Sequence, residues 1–381
     1  MNTITLLQPP RIVFGNGCAA NCVEVFAHRG AKRVLLVADK FVRPQLVSLV
    51  EALRRAGCEV VENGFVPPEP TRDFFESALL EARAARIDSV LGVGGGSVID
   101  VAKLIAALAR SPQKISEVFG INLLSARELP LVCLPTTAGT GAEVSPNAIL
   151  LDAADELKKG VVSPHLVPDA AFIDPLLTLS VPPAVTAATG LDALTHCIEA
   201  YANKFAHPIT DSYALRGITL IAANLLAAVN DGRNVEARAA LALGSLYGGL
   251  CLGPVNTAAV HALSYPLGGK FHIAHGVANA LLLPHVSRFN ISAAPERYAD
   301  ISVALGLARN GAALTTAEHG VEFLSRLSRD CGVPQKLSEL NIPRTAIPGL
   351  AKSAMQVTRL LKNNPRPVTE ADAVKIYEET F

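Results

Sequence analysis

Short β-branched runs alternate with longer Ala- and Leu-rich segments through the first half of this chain, and that rhythm limits the folds open to it. RVLLVAD (33–39), CEVVEN (58–63), DSVLGVG (88–94) and LPLVCLP (129–135) read as strands. Between them, RPQLVSLVEALRRAG (43–57), DFFESALLEARAARI (73–87) and SVIDVAKLIAALAR (97–110) read as helices. Such alternation predicts a parallel sheet covered by helices, because parallel strands need long crossover connections. From LSVPPAVTAATG (179–190) onward, β-branched runs nearly vanish and helical segments dominate. The expected architecture is an α/β domain over residues 1–180 and an all-α domain over residues 181–381.

Composition narrows the function classes. The 34 basic residues balance the 34 acidic ones, so nothing draws the chain toward nucleic acid or an anionic membrane. MNTITLLQPPRIVFG lacks the layout of a signal peptide. No uninterrupted apolar run approaches the length of a membrane span, and LIAANLLAAV (220–229) reads as a buried helix. Cys18, Cys22, Cys58, Cys133, Cys197, Cys251 and Cys331 form an odd, scattered set without a CxxC pair, the pattern of reduced thiols. A cytoplasmic protein without nucleic-acid or membrane partners is expected.

Four residues of the second half point to a metal. Asp192 and His196 lie four apart in GLDALTHCIEAY, on one face of a helix. His261 and His275 bracket VHALSYPLGGKFHIAH, where Pro266, Gly268 and Gly269 are expected to interrupt any single helix. Three imidazoles and one carboxylate suit a borderline cation such as Fe²⁺ or Zn²⁺ better than Ca²⁺ or Mg²⁺. A helix-capping role for Asp192 after Gly190 is the alternative.

Two loops of the first half suit a dinucleotide. GVGGGSVIDVAK (92–103) joins a strand to a helix, and Gly94, Gly95 and Gly96 let the backbone approach a ligand closely. The helix start favours a pyrophosphate, with Ser97 and Asp100 spaced as a capping box. In PTTAGTGAEVSPNAIL (135–150), Thr136, Thr137 and Thr140 are candidates to bond a pyrophosphate or ribose. Asp39 ends the first good strand, where a carboxylate binds the adenosine ribose and repels the 2′-phosphate of NADP. A plain turn role would also explain it.

GGGSVIDVAK, PTTAGTGAEVSPNAI, AATGLDALTHCIEAY and VHALSYPLGGKFHIAHGVANALLLPHV together resemble the signature segments of the iron-containing (group III) alcohol dehydrogenase family. The likeness extends over essentially the whole chain. It implies a dehydroquinate synthase-like architecture: a dinucleotide-binding α/β domain, an all-α metal-binding domain and an active site in the cleft between them. It matches Asp192, His196, His261 and His275 to the metal ligands, Asp39 to the NAD-selecting acid, and Gly95, Gly96 and Ser97 to the pyrophosphate loop. Thr136, Thr137, Thr140, Asn147 and Lys158 match further cofactor contacts, Lys158 toward a phosphate or the nicotinamide-side ribose. The implied cofactors are NAD and Fe²⁺, with Zn²⁺ or another divalent metal as alternatives, and the implied assembly is a homodimer or higher homo-oligomer.

The chain departs from the family in three places. Glu69 stands where many members carry Asn near the adenine side. Tyr265 replaces a second active-site His, and His272 replaces an Asn seen in some relatives. Tyr265 and His272 are candidate catalytic residues that line the substrate pocket or relay a proton. The expected reaction is hydride transfer between NAD(H) and a small primary alcohol or diol, or its aldehyde. Lys270, with Tyr265 and His272, leaves a hydroxy acid such as 4-hydroxybutyrate as an alternative substrate. A maleylacetate reductase-like keto-acid reductase, a lyase resembling dehydroquinate synthase and a non-enzymatic metal-binding protein are the remaining rivals.

Overall fold

The computed structural model describes residues 3–62, 65–152 and 157–381. Its strands are β1 (Arg11–Phe14), β2 (Arg33–Ala38), β3 (Glu59–Glu62), β4 (Ser89–Gly94), β5 (Gly120–Ile121), β6 (Leu131–Pro135), β7 (Asn147–Asp152), β8 (Leu157–Val162) and β9 (Ala170–Ile173). The chain divides into two compact units. One comprises Leu7–Thr137 and Gly141–Ser180; the other comprises Val181–Phe381 with the N-terminal residues up to Leu6 and the short loop Ala138–Thr140.

In the α/β unit, six strands form a parallel sheet in the order β1-β9-β6-β4-β2-β3. Strands covered on both faces must be apolar throughout, which is why β2, β4 and β6 read as continuous hydrophobic runs. Their alternate side chains serve two cores. Val34, Leu36 and Ala38 pack with Leu49 and Leu53 of the helix Val47–Arg55, while Leu35 and Val37 face Phe75 and the helix Gly96–Leu108. A smaller sheet, β5-β8-β7, contains an antiparallel hairpin of β7 and β8. The sequence pattern predicts β2, β3, β4 and β6 but not β1, β5, β7, β8 or β9; Asn63, the last residue of the CEVVEN run, lies outside the described residues.

The strand order places a topological switch between β2 and β4. From β2 the chain goes to β3 on one side, and from β3 it returns to β4 on the other. Ligands of open α/β sheets bind outside the carboxyl ends of the strands at such a point.

The second unit is helical among its described residues, with Pro183–Ala202, Pro208–Asn230, Val235–Leu252, Ala259–Phe271 and His275–Asn290 at its centre. Pro208–Asn230 and Val235–Leu252 are long and apolar enough to cross a membrane by length and composition alone. This qualifies the expectation that no run approaches that length. Residues 220–229 lie inside Pro208–Asn230, whose buried residues Ala214, Gly217, Ile218, Ile221, Leu225 and Ala228 recur at helical spacing. That is the pattern of a core helix with one buried face.

Pro266, Gly268 and Gly269 do not interrupt the helix Ala259–Phe271, contrary to expectation. The helix is buried against neighbouring helices, and that packing offsets the one backbone hydrogen bond that Pro266 removes. The break comes at His272, whose φ of +54° ends the helix in the left-handed region. Its N–H donates to the Gly268 carbonyl at 3.0 Å. Gly, and after it Asn, is the usual residue at such a left-handed cap, and His272 takes that place here.

Candidate active site

Asp192 and His196 project from the helix Pro183–Ala202, His261 from Ala259–Phe271, and His275 opens His275–Asn290. Asp192 lies mid-helix, so the capping alternative falls away. One carboxylate oxygen of Asp192 and one ring nitrogen each from His261 and His275 lie within 4.8 Å of one another. Asp192 Oδ1 is 3.6 Å from His261 Nε2, 3.7 Å from His275 Nε2 and 4.0 Å from His196 Nε2. His196 joins through His261, with their Nε2 atoms 3.0 Å apart, while its Nδ1 lies 3.2 Å from the Gly139 carbonyl. All four predicted ligands therefore come together.

Two further residues, missed in the sequence reading, organise them. Glu199 is buried one turn beyond His196 and two turns beyond Asp192. Its Oε1 accepts the Val260 N–H at 2.6 Å and its Oε2 accepts from His261 Nδ1 at 2.5 Å. That bond turns the other ring nitrogen, Nε2, toward the cluster, as carboxylate partners of metal-ligating histidines do. Asn279, fully buried, donates from Nδ2 to Asp192 Oδ1 at 2.7 Å and lies 3.1 and 3.2 Å from His261 and His275 Nε2. The spacing His196-x-x-Glu199 was the available signal for Glu199, and the i, i+4 relation to His275 was the signal for Asn279.

Burial pushes the Asp192 carboxyl up, but His196, His275 and His261 outweigh it and hold Asp192 well below the ordinary carboxylate range. Burial lowers His261, yet Glu199 and Asp192 raise it to about 9. At His196 burial prevails and the imidazole is lowered despite Asp192. The cluster thus joins two buried carboxylates to three imidazoles and rewards positive charge. A divalent cation fits this donor set. The Asn279 Oδ1, buried beside the ligands without a hydrogen-bond partner, agrees with a site whose polar complement exceeds what the protein alone satisfies.

Glu199→Gln keeps the shape but loses the charge that orients His261. Metal affinity is expected to fall about 10- to 100-fold, the usual cost of removing such a partner. Chelator competition measures it; an unchanged affinity would remove Glu199 from the site.

Tyr265 is buried, its ring 5.9 Å from that of His275. His272 and Lys270 are exposed.

In the α/β unit, register brings the cofactor candidates side by side. Ala38 pairs with Val93 and Gly94 with Pro135, so Asp39, the glycine turn and Thr136 leave three adjacent strands at one level. The Thr136 N–H donates to the Gly94 carbonyl at 3.0 Å. At Gly94 a side chain would meet Val98 Cβ at 2.6 Å, so the strand–helix turn admits only glycine there. Asp39 Oδ1 accepts the N–H groups of Phe41 at 2.7 Å and Val42 at 3.0 Å, a turn role compatible with a free second oxygen.

The capping box is corrected. Gly95 is the N-cap of Gly96–Leu108 and no side chain caps it. Asp100 Oδ2 instead accepts the Ile149 N–H at 3.0 Å, and burial raises its carboxyl to about 6 against the pull of Lys103. Lys103 Nζ donates to the carbonyls of Ser145 at 2.7 Å and Asn147 at 2.8 Å, which anchors the start of β7. Thr140 lies with the helical unit, in the same short loop as Gly139, while Thr136 and Thr137 belong to the α/β unit. Lys158 stands in β8, not in a solvated turn, and pairs with Glu69 at 2.6 Å.

Residues 9–175 match the family described as iron-containing alcohol dehydrogenase, and residues 186–381 match the C-terminal part of the Fe-containing alcohol dehydrogenase family. The chain belongs to the iron-containing alcohol dehydrogenase family. It is 41% identical to long-chain-alcohol dehydrogenase 1 of Geobacillus thermodenitrificans, over 100% of this chain and 98% of that one. It is 38% identical to 1,3-propanediol dehydrogenase of Klebsiella pneumoniae, covering 95% of each. Among solved structures, a 1,3-propanediol oxidoreductase superposes with a TM-score of 0.96 at 37% identity and 100% coverage of both chains. The chain is accordingly an alcohol dehydrogenase that transfers hydride between NAD(H) and a small alcohol with a divalent metal.

Proposed function

We propose that the chain is an Fe²⁺-dependent dehydrogenase of small primary alcohols or diols that uses NAD in preference to NADP. Residues 181–381 form its metal-binding domain and residues 1–180 its dinucleotide-binding domain. The observation that carries the metal assignment is the convergence of the Asp192, His261 and His275 donor atoms within 4.8 Å. Held there with His196 as the fourth ligand, the cation supplies Lewis acidity toward an alcohol or carbonyl oxygen, and NAD supplies the hydride acceptor.

The chain's own residues do the remaining work. Glu199 orients His261, and Asn279 holds the Asp192 carboxylate. Tyr265 walls the substrate side beside His275, and the exposed His272 passes the alcohol proton to water. Gly94, Gly95, Gly96 and Ser97 present helix-start N–H groups to the pyrophosphate. Thr136, Thr137, Thr140 and Asn147 add further cofactor contacts.

An NADH-absorbance screen of alcohols, diols and hydroxy acids, with chelated enzyme reloaded by single metals, tests this reading. Fe²⁺ is expected to restore the highest turnover with a primary alcohol or 1,3-diol. Restoration by Zn²⁺ alone would overturn the iron assignment. Asp39→Gly removes the charge that opposes a 2′-phosphate, so the NADP-to-NAD ratio of kcat/KM should rise by about tenfold or more. An unmoved ratio would take Asp39 out of cofactor selection. The seven cysteines are buried and free, which supports a reducing, cytoplasmic setting. Light scattering checks the homodimer that completes the proposal.

A further inference from the structure

The loop between β6 and β7 carries Thr136, Thr137 and Thr140, and it also touches a metal ligand. Its near end is tied to the glycine turn, where the Thr136 N–H donates to the Gly94 carbonyl at 3.0 Å. Its far end is tied to the helix Gly96–Leu108, which that turn opens. Lys103 Nζ of this helix, fully buried, donates to the carbonyls of Ser145 at 2.7 Å and Asn147 at 2.8 Å. Asp100 Oδ2, one turn earlier, accepts the Ile149 N–H at 3.0 Å. Between these anchors lies Ala138–Thr140, the segment that groups with the helical unit. There the Gly139 carbonyl meets His196 Nδ1 at 3.2 Å.

Gly139 takes this position by lying directly against the helix Pro183–Ala202. A Cβ at Gly139 would stand 2.8 Å from Thr189 Cβ and 3.1 Å from the Thr189 carbonyl oxygen. Neither atom moves with a change of rotamer, and the Thr189 hydroxyl is itself held by the Val185 carbonyl at 2.8 Å. The contact does for His196 what Glu199 does for His261. A carbonyl only accepts, so Nδ1 carries the proton and Nε2 is left as the ligand nitrogen. A ligand that fixes this loop therefore fixes the imidazole, and a cation that fixes the imidazole fixes the loop.

We propose that the β6–β7 loop couples the two sites, so that dinucleotide and metal each bind more tightly when the other is present. Gly139 is the positioning residue, acting through His196. The inference rests on the reading that the dinucleotide lies on the glycine turn and the Thr136–Thr140 loop while His196 helps to hold the cation. A segment ordered by one ligand need not be ordered again for the second, and linkage makes the gain reciprocal.

NADH fluorescence titrated into chelated protein, and into Zn²⁺-loaded protein freed of excess metal, measures the coupling. Chelator competition with and without NADH measures its reciprocal; Zn²⁺ is the probe because it has no redox chemistry. Each affinity is expected to rise about fivefold or more when the other ligand is bound, the lower end of allosteric coupling. Gly139→Ala keeps every charge of both sites. It should bind NADH normally when chelated, bind Zn²⁺ several-fold more weakly and lose the coupling, whereas a merely structural glycine would move Tm and leave the ratio intact. Absence of coupling in the unaltered protein, or full coupling in a folded Gly139→Ala protein, would overturn the proposal. The second result is the one that direct attraction between metal and nucleotide would give. Amide exchange of the unaltered protein needs no variant: Zn²⁺ alone should slow exchange over residues 137–142, and an unprotected loop would also count against the coupling. Failure of the chelated protein to bind NADH would instead overturn the cofactor reading, and failure to bind Zn²⁺ the metal reading.

Discussion

Asp192→Ala is expected to strip the enzyme of its metal and to lower turnover roughly a thousandfold. Lewis-acid stabilisation is worth several kcal/mol, and each 1.36 kcal/mol is a factor of ten in rate, so a loss of about 4 kcal/mol gives that figure. The position allows no substitute. Asp192 is buried, its Oδ1 faces three imidazoles, and it accepts from Asn279 at 2.7 Å. Alanine also leaves the Asn279 amide and the His261 ring, already held by Glu199, without the charge that organises them. Elemental analysis and NADH formation measure the effect, with circular dichroism to show a folded chain. NADH binding should survive, because the glycine loop and Asp39 belong to the other unit. An Asp192→Ala enzyme with full metal content and turnover would disprove the site.

Gly276→Val should damage both stability and metal binding from a residue that touches no ligand atom. A Cβ at Gly276 would stand 2.3 Å from the Ala188 carbonyl oxygen and 2.6 Å from its carbon. Both obstacles are backbone, so no rotamer change relieves them. The helix His275–Asn290 must move away from Pro183–Ala202, and His275 is its first residue. Overpacking of this kind costs about 1–3 kcal/mol, with a drop of several degrees in Tm. Because His275 and Asp192 ride on the two helices being separated, metal affinity should fall at least about tenfold, since a binding constellation has to be held within about 0.5 Å of its working geometry. Ala274→Ser is the control: it puts a good N-cap residue at the exposed start of the same helix and should hold or raise Tm. A Gly276→Val protein with unaltered Tm and metal affinity would show that the close approach is not needed.

Legibility of the site followed the range of the interactions involved. Asp192 and His196 were readable because a helix places residues four apart on one face, a purely local rule. The glycine loop was readable because its strand and its helix are each strongly patterned. Glu199 was not, since its importance comes from meeting Val260 and His261, more than sixty residues away. The interruption expected at Pro266 failed for a related reason. Local propensity disfavours a helix there, and burial between neighbouring helices overrides it. Pairing of Ser97 with Asp100 was misread because the spacing of a capping box says nothing of a nearby strand whose N–H offers the carboxylate a better use.

Residue order and local chemistry by themselves determined the layered α/β first half, the helical second half, the donor types that select a divalent cation and the strand–glycine–helix turn suited to a pyrophosphate. Only the tertiary structure decided which of these meet. Strand order put Asp39 and Gly94 beside each other at a switch point, because neighbours in a sheet are set by pairing and not by sequence distance. Hairpin register carried Lys158 to Glu69, and close helix packing at Gly276 set His275 against Asp192. Side-chain type is a property of the residue, but coordination and hydrogen bonding require atoms within about 3 Å, and that proximity is settled by packing across the whole fold.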